Sequence, residues 1–158
     1  MSLIEAQAPT APAPAPPPAN MAQLMRGTLY PESNVVFAAQ DVNPADVPHA
    51  PDPSMATDPL ASSYGKWQAV ENNALAIAEV ADLLNVPGRK CANGLDVPVR
   101  NPDWAKFVQQ LRDAGMTAYA AAQTKNQDKV IDAADVMTTA CKNCHDKYRE
   151  RPRLDRCK

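Results

Sequence analysis

Aromatic residues are scarce in this chain: two tryptophans, four tyrosines and two phenylalanines among 158 residues. So few large β-forming side chains, set against abundant alanine, disfavour a sheet and suit close-packed helices. Glycine is also sparse, with five residues, and histidine sparser still, with two. Neither sign of charge dominates. The formal net charge of −2 leaves no global bias toward nucleic acid or an anionic membrane. No apolar run is long enough to span a bilayer. The residue types of a nucleophilic triad, a phosphate-binding loop or a second metal cluster do not gather anywhere, so an enzyme in its own right is not expected.

Proline, by contrast, is plentiful and clustered. Residues 9–18 hold six prolines among alanines, and residues 41–60 hold five more. Residues 1–19 read as a polyproline-like or disordered tail, residues 20–150 as one folded domain with a long proline-rich loop over 41–60, and residues 151–158 as a short C-terminal tail. Met1 to Ala8 carry no basic residue and no long apolar segment, and do not read as a secretion signal.

Four helices are expected. Asn20 is a plausible N-cap for the first, which carries Met21, Leu24, Met25 and Thr28 on one face and is expected to run over 20–40 with a break near Pro31. A second, over about 61–86, places Trp67, Val70, Ala74, Ile77, Ala81 and Leu84 at alternating spacings of 3 and 4, a heptad-like seam. Pro87-Gly88 stops it. Asn101-Pro102-Asp103 combines a cap, a proline at the first position and an acid in the first turn. The third helix that follows repeats the same spacing with Trp104, Phe107, Leu111, Ala114, Ala118 and Ala121. The fourth begins near Asn126, bears Val130, Ala134, Met137, Cys141, Cys144 and Tyr148, and is expected to end at Pro152. The fold predicted is all-α, an antiparallel up-down-up-down four-helix bundle.

Cys141-Lys142-Asn143-Cys144-His145 is the C-x-x-C-H spacing of covalent c-type haem attachment. Two thiols one helical turn apart suit addition to two vinyl groups on one porphyrin edge, and the adjacent imidazole suits axial ligation. A zinc site wants four ligands, and the remaining Cys91 and Cys157 form no second pair. A thioredoxin-like dithiol belongs beside a βαβ pattern, which is not visible. One covalent haem c, held by Cys141 and Cys144 with His145 on its iron, is therefore the expected cofactor.

In an up-down-up-down bundle the end of the last helix meets the start of the first. Met21 and Met25 thus face the haem as candidates for the sixth ligand. His49, in the 41–60 loop, competes in principle, as does an open site. Phe37, Trp67, Trp104 and Tyr148 are candidates to line the pocket. Arg26 and Arg89 are candidates to pair with propionates through a guanidinium fork. Cys91 follows the second helix and Cys157 the fourth. Both reach one end of the bundle, so a disulfide between them is expected in an oxidising compartment, with two free or intermolecular thiols as the alternative.

These features resemble the cytochrome c′ family, the class II c-type cytochromes. The resemblance rests on the C-terminal haem motif and the methionine-bearing first helix, with Leu24-Met25-Arg26, Tyr30 to Val36, the Trp67-to-Leu84 helix and Pro87-Gly88-Arg89 adding to it. It spans about residues 20–150 and is closest to six-coordinate, low-spin members. The proline-rich tail and the 41–60 loop depart from the family's compact pattern. The resemblance implies Met25 as the sixth ligand. With both axial positions filled, it implies a soluble, periplasmic, mono-haem one-electron carrier serving redox protein partners, with homodimerisation possible. The alternatives are a haem protein binding nitric oxide or carbon monoxide, or a cytochrome subunit docked on a larger oxidoreductase. Lys142, Lys147, Arg149 and Arg151 form a basic patch suited to an acidic redox partner.

Overall fold

A computed structural model describes residues 15–149 and Cys157. The proline run before residue 15, the expected stop at Pro152 and Arg151 of the basic patch lie outside the described residues. Within them the chain is helical, without a β-strand; one isolated bridge pairs Lys90 with Asp96. No helix among these residues is long and apolar enough to cross a membrane.

The first helical rod has three parts: α1 (Met21–Leu24), a π-helical turn (Met25–Leu29) and α2 (Tyr30–Asp41). Asn20 caps it as expected, in a reciprocal capping box with Gln23. The break expected near Pro31 takes the form of this π-helical turn, which ends at Leu29, just ahead of Tyr30 and Pro31. The Tyr30 amide reaches back five residues to the Met25 carbonyl. Pro31 then sits in the first turn of α2, where its missing N–H costs little. The wider turn ahead of it takes up the clash that a proline imposes inside a regular helix.

The 41–60 stretch is a chain of short 3₁₀ turns, with Pro44 and Leu60 buried against the core. The second long helix was expected from about 61, but α3 (Lys66–Val80) starts later. Asp58 caps a 3₁₀ turn at Pro59–Ala61, and Gly65 is pressed onto the Leu60 carbonyl, so the chain folds back before the helix can begin. A 3₁₀ turn (Ala81–Asn85) prolongs α3, and Gly88, with φ of 81°, ends it. The remaining helices are α4 (Pro102–Gln123) and α5 (Gln127–Tyr148). Asn126 caps α5 by accepting from the Lys129 amide. Asn101 makes no such cap on α4, and its side-chain amide donates to Tyr148 Oη instead.

α2 packs on α3, α3 on α4, α4 on α5, and α5 back on α2, around one core. The expected seams form it. Val70, Ala74 and Ala81 of the second seam, Ala114 and Ala118 of the third, and Val130, Ala134 and Met137 of the fourth are fully buried. Small residues let α3 and α4 come close. A Cβ on Gly115 would stand 2.9 Å from the Ala74 carbonyl oxygen and 2.9 Å from the Ala78 nitrogen, backbone atoms that cannot rotate away. Gly115→Ala is therefore expected to lower the unfolding free energy by about 1–3 kcal/mol through overpacking, despite alanine's better helix propensity. Urea unfolding checks this, and a variant as stable as the parent would show that the helices have room.

Cys91 and Cys157 are joined in a disulfide, Cα to Cα 5.0 Å, as their places after the second and fourth helices suggested. The bridge closes a loop spanning 66 positions. The chain-entropy model gives such a loop about 4 kcal/mol.

Candidate functional site

At the end of the core where α1 meets the last turns of α5, the packing opens into a cavity of about 1120 Å³. Protein interiors tolerate few voids larger than a water molecule. This one exceeds the roughly 300–1,000 Å³ of ordinary small-ligand pockets. A space so large is not a packing defect.

Five of the residues singled out for chemistry line it together: Met21 and Met25 from the first rod, and Cys141, Cys144 and His145 from α5. α5 presents them because Cys141, Cys144 and Tyr148 continue its buried seam beyond Met137 at spacings of 4, 3 and 4. Phe37, Trp104, Tyr148 and Arg26 also line the cavity.

Three expected residues do not. Trp67 is buried but lies at the start of α3, whereas Ile77 and Leu84 reach the cavity. At 1.5 Å per residue Trp67 is about 15 Å along the helix from Ile77. The α3 seam runs the whole core, and only its far end meets the opening. Arg89 is also absent from the lining. Its guanidinium is turned to the backbone, with Nη1 donating to the Ala19 carbonyl and Nη2 to that of Leu83 at 3.2 Å. His49 is fixed in the 41–60 loop, its Nδ1 2.9 Å from the Ser62 carbonyl oxygen, and does not reach the cavity.

Sequence reasoning missed other parts of the wall. Leu29, Tyr30 and Ser33 reach it from the first rod, and Val108 from α4. Phe107, Leu111 and Met137 were legible as seam positions, but not as lining. Arg149 replaces Arg89 as the second cation at the cavity. Cys157 lines it too, which brings the disulfide into the wall.

Electrostatically the site is apolar with a cationic bias. Among the described residues, Arg26 and Arg149 are the formally charged side chains in its lining, and no carboxylate is among them. Burial, joined by the Arg149 charge, pushes the His145 imidazole below its ordinary value, which favours the neutral ring, the form that ligates metals. Burial also raises both thiols, Cys144 to about 11. Reactive cysteines show the opposite, a depressed pKa in an electropositive setting. Burial thus favours the protonated thiol at both positions. Among the described residues no group of three or more His, Cys, Asp or Glu converges to hold a metal ion.

The turn bearing the motif is held from α4. Tyr148 Oη donates to Asp103 Oδ1 at 2.6 Å, and Lys147 forms an ion pair with the same carboxylate. The Tyr148 ring packs edge-on against Trp104, centroids 5.0 Å apart, and against Phe107 at 6.0 Å. Hydrogen bonds from Lys147 and then Tyr148 hold the Asp103 carboxyl below its ordinary 3.8. A carboxyl depressed in the folded state adds stability above its unfolded pKa, and that stability is lost as pH falls through the folded value. Asp103→Asn is therefore expected to flatten the acid limb of the stability curve below about pH 4. Urea midpoints at pH 7 and pH 3 measure this; parallel losses in variant and parent would remove Asp103 from the account.

Comparison with protein families, with curated proteins and with solved structures yields no match to this chain. The functional reading therefore rests on the site itself.

Proposed function

We propose that the protein is a mono-haem c-type cytochrome of the cytochrome c′ kind, an antiparallel up-down-up-down bundle carrying one electron at a time between redox proteins. One observation carries this reading: the C-x-x-C-H turn of α5 and the methionines of the first rod, distant in sequence, line one large apolar cavity. The lining fits a flat apolar macrocycle with an anionic edge. Cys141 and Cys144 suit thioether attachment, and His145 offers a neutral imidazole. Arg26 and Arg149 complement two propionates. Haem, when bound, supplies an Fe(III)/Fe(II) couple whose potential its axial ligands set.

The chain's own contribution is positioning and exclusion. α5 fixes His145 on one side, braced by Tyr148 and Asp103. Met25 lines the same cavity from the start of the π-helical turn. Such turns recur at functional sites, where they re-aim one side chain, and this favours Met25 over Met21. With haem bound, His145 and Met25 would be the residues to hold its iron, and the thioether would raise the potential. The Cys91–Cys157 bridge is compatible with an oxidising compartment, in keeping with a periplasmic location.

Redox titration tests the carrier function. The expected result is a single reversible one-electron wave, unchanged under carbon monoxide. A wave displaced by carbon monoxide would give the gas-binding alternative instead.

A further inference from the structure

The segment Arg89–Cys91 meets three parts of the molecule at the cavity end. Arg89 is only 5% exposed, yet among the described residues no carboxylate forms an ion pair with it. Its cation rests on carbonyls: Leu83 in the closing 3₁₀ turn of α3, where the helix dipole is negative, and Ala19 just ahead of α1. Next to it, the Lys90 carbonyl accepts from the Met21 amide at 2.8 Å. That amide is one of the orphan donors of a helix's first turn. Cys91 is 2% exposed and bound to Cys157, itself in the cavity wall. The segment has a firm base. Its backbone folds back on itself through Cys91 N–H to Leu95 O at 2.8 Å and Val97 N–H to Arg89 O at 3.1 Å.

We propose that Arg89, Lys90 and the Cys91–Cys157 bridge form a clamp that fixes where the first turn of the methionine-bearing rod stands over the cavity. Two bonds from the clamp, to Ala19 and Met21, bracket the start of α1. Met25 follows Met21 by one turn and inherits its position. The disulfide holds the clamp against the cavity from the other side. Arg89 and the bridge are thus positioning elements for the sixth ligand, acting without touching it. The link to ligation rests on the haem reading above; the link to the rod does not.

The test opens the bridge in the folded, haem-loaded protein with tris(2-carboxyethyl)phosphine. The phosphine is oxidised to its oxide while the disulfide takes up two electrons and two protons to give two thiols. Amide hydrogen exchange is then read at Met21 and Leu24, with Ala133 and Ala134 of α5 as internal reference. The clamp requires at least tenfold faster exchange at Met21 and Leu24, an unchanged reference, and a weaker near-infrared methionine–iron band. Unchanged exchange at Met21 would overturn it. If opening the bridge also releases the reference amides, Arg89→Gln with the bridge intact decides: the same tenfold loss at Met21 supports the clamp, and full protection refutes it. The exchange arm reads out in haem-free protein as well, so a failure of the haem reading and a failure of the clamp stay distinct.

Discussion

Serine at both Cys141 and Cys144 is expected to abolish covalent haem attachment completely. The parent, matured under the same conditions, should keep its colour through denaturing extraction and carry the mass of polypeptide plus haem. The double variant should give up all its pigment to acidified organic solvent and show the mass of polypeptide alone. The reason is local. The two thiols sit one turn apart in the wall of the cavity, and no other free cysteine is found among the described residues. His145 and the apolar lining remain, so some haem is expected to bind reversibly before extraction. Each single variant should retain one thioether and resist extraction. Pigment that survives denaturation of the double variant would place the attachment elsewhere.

Met25→Ala should produce the largest spectroscopic change. Loss of the thioether is expected to convert a six-coordinate, low-spin iron to a high-spin one that binds carbon monoxide. The potential should fall by on the order of 0.1 V, within the roughly 0.8 V range that axial ligation spans. Truncating a methionine also removes packing, at up to about 2–5 kcal/mol in a core. Met21→Ala separates the two effects. Met21 lines the same cavity, one turn earlier and more deeply buried. It should therefore cost comparable stability while leaving the low-spin spectrum intact. The opposite outcome, low-spin iron in Met25→Ala and high-spin iron in Met21→Ala, would exchange their roles.

The helices were legible in the sequence because helical spacing is a local property. The alternation of 3 and 4 from Trp67 to Leu84, and again from Trp104 to Ala121, records one buried face, and those faces are buried. The cap at Asn20 and the helix start near Asn126 are local too, whereas the reciprocal box with Gln23 and the capping role of Asn126 come from the structure. The disulfide followed from the order of the helices alone. What a seam cannot say is where along its length the core opens. Trp67 and Ile77 look alike in the pattern, yet one packs in the closed end and the other lines the cavity.

Arg89 shows a second limit. A guanidinium in the loop at the haem end suggests a propionate, but the backbone carbonyls of distant Ala19 and of nearby Leu83 bind it first. The contact with Ala19 is tertiary, and nothing near residue 89 announces it. Asn101 carried a strong capping signal and spends its side chain on Tyr148 instead. The π-helical turn had a trace in Pro31. A proline there demands an adjustment somewhere, and the chain made it one turn upstream, at Met25.

The optical spectrum of the purified, matured protein bears most directly on the claim that His145 and Met25 face each other across a haem. The account expects sharp, split α and β bands on reduction and a weak near-infrared band on oxidation. A colourless protein with alkylatable thiols at Cys141 and Cys144 would contradict it.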